Sequence, residues 1–388
     1  MFPGNMPVFE IREKVMHKHK QKNKQSWAVD KHFAWQVKPI EEVRQNLLAL
    51  YSKPALFETG KGFQAVDGNQ TLFMLDVLFE VQLLNGIWFV DGADSFQKKT
   101  TVCKAILNEE TKSLWERLRQ VTHILDLPNG YPMVLALGYS TARFIEDLPE
   151  MLVKESEPEV VLRVYRYIVH YNTVEKSAEI DVLKASPNEI VDTTALISVL
   201  TETSHNKVSS ESWNLGDTRD LTDKSEFCAA VDRAKAHISA GDIYQIQLCR
   251  RALSSAMIPP VKLYERLASV NPAPYMYYLD LGDLHIISAS PELMIRSENG
   301  IAQVRPIAGT MAKEDKRNDR LDQIPKEAAE HLMLVDLARN DLARCSTAGG
   351  VNVTSLMQVD SYGSLDHLVS TVDAPISEGC DIWDLIAA

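Results

Sequence analysis

Apolar positions along this chain change period several times, and each change marks an element. Ile40–Tyr51 carries a helical pattern, Thr71–Leu84 is dense in strand formers, and Glu109–Leu127 reads as helix and turn. Phe227, Val231, Ala234 and Ile238 fall at i, i+4, i+7 and i+11, one face of a helix, and Gly241 sits where a C-terminal glycine belongs. Asp242–Cys249 then alternates as a strand, with Tyr244, Ile246 and Leu248 on one face and Ile243, Gln245, Gln247 and Cys249 on the other. Two amides on an otherwise buried strand need hydrogen-bond partners and are expected to line a polar pocket.

Pro259–Val270 reads as a helix. Short strands follow at Tyr275–Leu281, Leu284–Ala289, Leu293–Ser297 and Ala302–Pro306, separated by the turn signals Gly282-Asp283 and Asn299-Gly300. The segment Glu330–Asp341 is apolar nearly all round through Leu332–Ala338, which predicts a buried helix opening on a carboxylate. A buried charge needs a partner, and a metal ion is one. Strands and helices are grouped rather than alternating, so the class expected is α+β, with antiparallel sheets packed as a sandwich and surrounding helices.

The chain has 388 residues, 45% of them apolar, enough for a large core or two domains. The net charge of −12 gives no reason to expect nucleic acid as a partner. No window reaches the ~18 consecutive apolar residues of a membrane span. The five cysteines (Cys103, Cys228, Cys249, Cys345 and Cys380) are scattered without CxxC spacing, as expected of reduced cytoplasmic thiols. The basic run Lys14, Lys18, Lys20, Lys22 and Lys24 has no apolar stretch after it and reads as a solvated arm. Polar residues from Pro187 to Asp223 place a linker at Ser204–Ser212.

Six segments, in order, carry a family resemblance. They are GDIYQIQLCRR (Gly241–Arg251), NPAPYMYYL (Asn271–Leu279), SASPE (Ser288–Glu292), PIAGT (Pro306–Thr310), EHLMLVDLARND (Glu330–Asp341) and SLDHLVSTV (Ser364–Val372). Together they resemble the chorismate-utilising enzymes, most closely the anthranilate synthase large subunit. LFET (Leu56–Thr59), followed by Thr71–Leu83, looks like a drifted copy of the N-terminal LLES region of that family. The resemblance implies two regions: residues 1–210, regulatory in type, and residues 211–388, which bind chorismate.

The implied reaction adds ammonia at C2 of chorismate, expels the C4 hydroxyl and eliminates pyruvate, leaving anthranilate. It also implies Mg²⁺ and a glutamine amidotransferase partner that supplies ammonia in tryptophan biosynthesis. By the same resemblance Glu292 is the general acid for the departing hydroxyl, and His367 helps protonate the leaving enolpyruvyl group. Gly309 and Thr310 hold the substrate through their backbone, and Glu330 is a magnesium ligand. Gln245 stands where water-adding relatives carry lysine, and Ala308 stands where many C4-aminating relatives carry lysine, so both favour ammonia attack at C2. Thr59, Pro274, Tyr275 and Met276 correspond to a tryptophan feedback site.

For each residue an ordinary structural role stands beside the functional one. Glu292 could be a solvated strand-end carboxylate, Gly309-Thr310 an ordinary turn, and Glu330 a first-turn glutamate favoured by the helix dipole. His367 and Gln245 could be satisfied core residues. Asp341 reads as structural, pairing with Arg339 or capping. Two other readings stay open: a C4-aminating aminodeoxychorismate synthase of the para-aminobenzoate type, and a non-catalytic tryptophan-binding relative. The family pattern continues past DHLVS with a further catalytic block that is missing before Ala388. The expectation is therefore a truncated chain with half a metal site, exposed sheet edges and no synthase activity by itself.

Overall fold

The computed structural model describes residues 8–11, 27–63, 71–146, 148, 157–202, 216–313, 320–363 and 365–388. The basic arm, the proposed linker at Ser204–Ser212 and most of the charged Lys313–Arg317 loop lie outside the described residues. The described chain falls into two compact units, residues 216–263 and the remainder.

The larger unit is built on a ten-stranded sheet in which all pairs are antiparallel. Its centre is the long strand Thr71–Leu84 against Val160–Asn172. Both strands are buried along nearly their whole length, which explains their unbroken runs of Leu, Val, Ile and Phe. The helices Gln97–Leu107 and Leu114–Leu125 contribute Cys103, Leu107, Leu118, Val121 and Leu125 to the same core. Ser113 caps the second helix by accepting the Glu116 amide hydrogen.

The expected strand run from Tyr275 to Pro306 forms, but it divides between two sheets. Tyr275–Asp280 and His285–Ser290 extend the large sheet: Tyr275–Asp280 pairs with Ala55–Glu58, which in turn pairs with Thr71–Met74. Strands from both sides of residue 210 thus share one sheet. Buried Arg163 anchors the end of this pairing by donating to the carbonyls of Asp280 and Lys53, and it faces Glu80 across the ladder.

Leu293–Glu298, Ile301–Arg305, Ile307–Ala312, Asn352–Tyr362 and Leu365–Pro375 form a separate five-stranded sheet. The expected Asn299-Gly300 turn is present with both residues at positive φ, 53° and 77°, as a two-residue hairpin requires. Leu365–Pro375 is the backbone of this sheet. One of its edges takes Asn352–Tyr362, and the other takes Ile301–Arg305 and then Ile307–Ala312. Pro306 has no amide hydrogen to give, and its carbonyl accepts from Ser370 N–H at 3.1 Å between the two segments.

The helix expected from Glu330 begins five residues earlier, at Pro325, and runs to Arg344. Proline suits the first helical position because its missing amide hydrogen would have had no helical partner there. Burial all round does not hold. His331, Val335, Ala338 and Leu342 form the buried stripe, while Leu332 and Leu337 are exposed. The spacing i, i+4, i+7, i+11 selects one face for the sheet, and the remaining leucines point away from it.

In the smaller unit the helix Lys224–Ala240 forms as expected. Asp223 caps its start and Gly241, at φ 80°, ends it. Of its apolar stripe only Ala234 is buried. The strand expected at Asp242–Cys249 is absent, and Gln245 and Gln247 are exposed. Alternation prepares a strand but cannot supply a ladder partner. The pairing in this unit joins Thr218–Asp220 to Ala252–Ser254 instead.

Candidate active site

Ile307–Ala312 is a short strand with a kink. Its register against Leu365–Pro375 slips between Ala308 and Thr310, so Gly309 is an extra residue at φ 65°. Such a bulge places a glycine in the left-handed region and turns the neighbouring peptide groups out of the ladder. A side chain at Gly309 would put its Cβ 3.2 Å from Glu327 Oε2. The helix Pro325–Arg344 therefore sets a carboxylate against the bulge.

His367 lies directly opposite Thr310 in the ladder. Its Nδ1 is 3.1 Å from the Gly309 carbonyl oxygen and 3.1 Å from Thr310 Oγ1. A carbonyl oxygen only accepts, so Nδ1 carries the hydrogen. In the neutral ring Nε2 is then left with its lone pair. The expected catalytic histidine and the expected substrate-binding pair are thus joined by direct contacts.

Glu292 approaches the same strand from the other side of the hairpin Leu293–Arg305. The Ile307 backbone lies near enough to act on its carboxylate, and Ser290 Oγ takes the Glu292 amide hydrogen at 3.3 Å. The side chain reaches the surface, yet the protein packed about it removes enough water to push its pKa up, with the Ile307 contact opposing. A carboxyl group with a raised pKa is suited to donate a proton.

Glu330 is in the second turn of its helix and is half-exposed. The first-turn acid is Glu327, which sequence reasoning missed. Lys326 Nζ lies 3.4 Å from Glu327 Oε1 and 3.3 Å from Glu330 Oε1. The signal for Glu327 was available in its spacing, because residues three apart share a helix face. Among the described residues no group of three or more His, Cys, Asp or Glu side chains could hold a metal. Mg²⁺ is commonly held by one or two carboxylates completed by water and substrate oxygens. Glu327 beside the Gly309 bulge, with Glu330 three residues on along the same helix, would suit that kind of shared site once Lys326 turns away.

His331 is a second residue that sequence reasoning missed. It is fully buried, with Nε2 2.6 Å from Ser370 Oγ. Ser370 Oγ also accepts the Met357 amide hydrogen at 2.9 Å, so this hydroxyl joins the His331 ring to the backbone of a neighbouring strand. Burial pushes the His331 pKa down, keeping the ring neutral. The contact ties the helix of Glu327 and Glu330 to the strand of His367. Asp341 has Arg344 rather than Arg339 as its charged neighbour, and Arg339 pairs with Asp336 at 2.9 Å.

Thr59, Pro274, Tyr275 and Met276 are also brought together. Glu58 pairs with Met276 across the ladder, and the Gly60 amide donates to the Ala273 carbonyl at 2.9 Å. Gly60 is required here, because a Cβ would lie 2.4 Å from that carbonyl oxygen. Among the described residues the buried Tyr275 hydroxyl, beside Arg305, has no well-formed hydrogen bond, and burial raises its pKa. Gln245 belongs to the 216–263 unit and is exposed there.

A family model described as chorismate binding enzyme matches residues 79–388. The chain belongs to the chorismate-binding enzyme family. This chorismate-binding enzyme is 44% identical over 178 residues to anthranilate synthase component 1 of Streptomyces coelicolor, covering 44% of this chain and 35% of the relative. It is 40% identical over 169 residues to aminodeoxychorismate synthase component 1 of Bacillus subtilis, covering 42% and 36%. The matched stretch therefore spans little more than a third of the length of these curated relatives. Among solved structures, anthranilate synthase component I from Streptococcus pneumoniae superposes with a TM-score of 0.62 at 25% identity, covering 83% of this chain and 72% of that one. The Escherichia coli isochorismate synthase MenF shares the fold at a TM-score of 0.55 and 12% identity. The antiparallel sheets with flanking helices are the fold of this family.

Proposed function

We propose that this chorismate-binding enzyme acts as anthranilate synthase component I, forming anthranilate and pyruvate from chorismate and ammonia. The observation that carries this reading is the convergence on Ile307–Ala312. Gly309 and Thr310 lie in this strand, His367 and Glu327 lie against it, the Ile307 backbone acts on the Glu292 carboxylate, and Glu330 is linked to Glu327 through Lys326.

In this reading the exposed backbone of the Gly309 bulge orients a substrate carboxylate. Protonated Glu292 donates to the departing C4 hydroxyl as ammonia attacks C2. His367, held through Nδ1, handles a proton at Nε2 while the enolpyruvyl group leaves. Glu330, with Glu327, would hold Mg²⁺, which supplies positive charge to the substrate carboxylates. Gln245 adds no base, as ammonia requires none. Ammonia would come from a glutamine amidotransferase subunit. Tryptophan would be the feedback ligand at Thr59, Pro274, Tyr275 and Met276.

We place the protein in the cytoplasm, on the basis of its five free cysteines. Among the described residues no helix is long and apolar enough to cross a membrane.

The similarity to an aminodeoxychorismate synthase keeps C4 amination as the second reading. Incubation with chorismate, ammonium and Mg²⁺, followed by fluorescence and mass analysis, separates the two. Anthranilate with equimolar pyruvate supports the first reading and overturns the expectation that this chain has no synthase activity by itself. An amino-chorismate without pyruvate moves the assignment to the second. Calorimetry that detects tryptophan binding but no chorismate binding rejects both.

A further inference from the structure

Among the described residues His367 is tethered at one nitrogen only. Gly309 O and Thr310 Oγ1 both meet Nδ1, which leaves the ring free to tilt about that point. The opposite nitrogen is the one that must face substrate, so the tilt has to be set by something else. Tyr362 is placed to set it. It ends the strand Asn352–Tyr362, and its ring centroid lies 5.4 Å from that of His367 at an interplanar angle of 58°. Phe63 meets Tyr362 edge-on at 5.0 Å and 89°. Phe63 is itself buried and is held in a turn by its amide bond to the Gly60 carbonyl at 3.1 Å. Gly60 is locked to Ala273, just before the large-sheet strand Tyr275–Asp280. A continuous file of contacts thus runs from the large sheet through Phe63 and Tyr362 to the imidazole.

We propose that Tyr362 is a positioning residue that fixes the tilt of the His367 ring, with Phe63 as its support. The hydroxyl is not what the geometry uses, since the contacts on both sides are made by rings. The proposal rests on the reading of His367 as a catalytic group, but its first test does not depend on turnover.

The test follows the His367 Cε1–H resonance in the chain labelled with ¹³C-histidine, assigned by its loss in His367→Gln. Tyr362→Leu and Phe63→Leu are expected to shift that resonance, and Tyr362→Phe is expected to leave it in place. In the chorismate assay Tyr362→Leu is expected to lower kcat roughly 100-fold with KM within about twofold, the pattern of a misplaced group rather than a lost contact, and Tyr362→Phe to restore it. An unmoved resonance in folded Tyr362→Leu overturns the proposal. If that variant does not fold, an unmoved resonance in Phe63→Leu overturns it equally. Shifted resonances in a chain that neither binds nor converts chorismate would sustain the positioning of His367 and reject the proposed reaction.

Discussion

The imidazole of His367 donates from Nδ1 to the carbonyl oxygen of Gly309 at 3.1 Å. Two segments nearly sixty residues apart in the chain are thereby joined at the one position where the strand Ile307–Ala312 leaves its regular register. The bond exists because the bulge turns that carbonyl away from its ladder partner, and it leaves Nε2 free for chemistry.

The bulge should not tolerate a side chain. Gly309→Ala would hold a Cβ at φ 65° and 3.2 Å from the Glu327 carboxylate. The expected cost is about 1–2 kcal/mol from the backbone alone. Urea unfolding of both proteins measures it, and an unchanged midpoint with unchanged slope would show that the left-handed conformation is not adopted.

Glu292 should set the alkaline side of the reaction profile. Its raised pKa means that the proton-donating form persists to higher pH than in an exposed glutamate, and the rate falls as pH rises through that value. Glu292→Gln is expected to lower the rate of anthranilate formation by about 10²–10⁴-fold and to remove that limb. Retention of the limb in the glutamine variant would assign it to another group.

Glu330 and Glu327 should act together on metal affinity. Glu330→Gln is expected to weaken Mg²⁺ binding at least ~10-fold, and Glu327→Gln by a smaller factor. The stabilisation of the fold by added Mg²⁺, read as a shift in thermal unfolding midpoint, reports this without any need for turnover. Equal Mg²⁺ shifts in the parent and in both variants would remove the carboxylates from the metal site.

His331 makes the fold acid-sensitive. Its pKa is depressed in the folded state, so the unfolded chain takes up a proton first as pH falls. The contribution is present above the unfolded value of ~6.5 and is lost as pH falls from there through the folded value. The slope from this group cannot exceed ~1.4 kcal/mol per pH unit. His331→Gln should therefore flatten the stability profile below pH ~6.5, measured by urea unfolding at a series of pH values. A parallel profile would place the acid sensitivity elsewhere.

Several of the candidate site residues were legible in short motifs. PIAGT, SASPE and DHLVS each carry a residue that the fold brings to the strand Ile307–Ala312 or beside it, whereas the bulge at Gly309 had no signal in the Gly-Thr pair. Glu327 and His331 were missed. The motif places the helix start at Glu330, which puts Glu327 outside it, and a polar His331 at the head of the buried stripe hides the periodicity that Val335, Ala338 and Leu342 continue. Alternation at Asp242–Cys249 was a false strand signal, because side-chain pattern carries no information about whether an edge is available for pairing.

Local chemistry in the sequence determined the class of elements, the hairpin at Asn299-Gly300, the helix cap at Gly241 and the family itself. The elements depend on backbone preferences and periodicity over a few residues, and the family on the resemblance that six motif segments carry. Only the tertiary structure decided which strands share a sheet, which face of Pro325–Arg344 is buried, and that His367 meets Gly309 and Tyr362. Those outcomes depend on pairing and packing between residues far apart in the chain, where a one-residue slip in register would exchange the buried face for the exposed one.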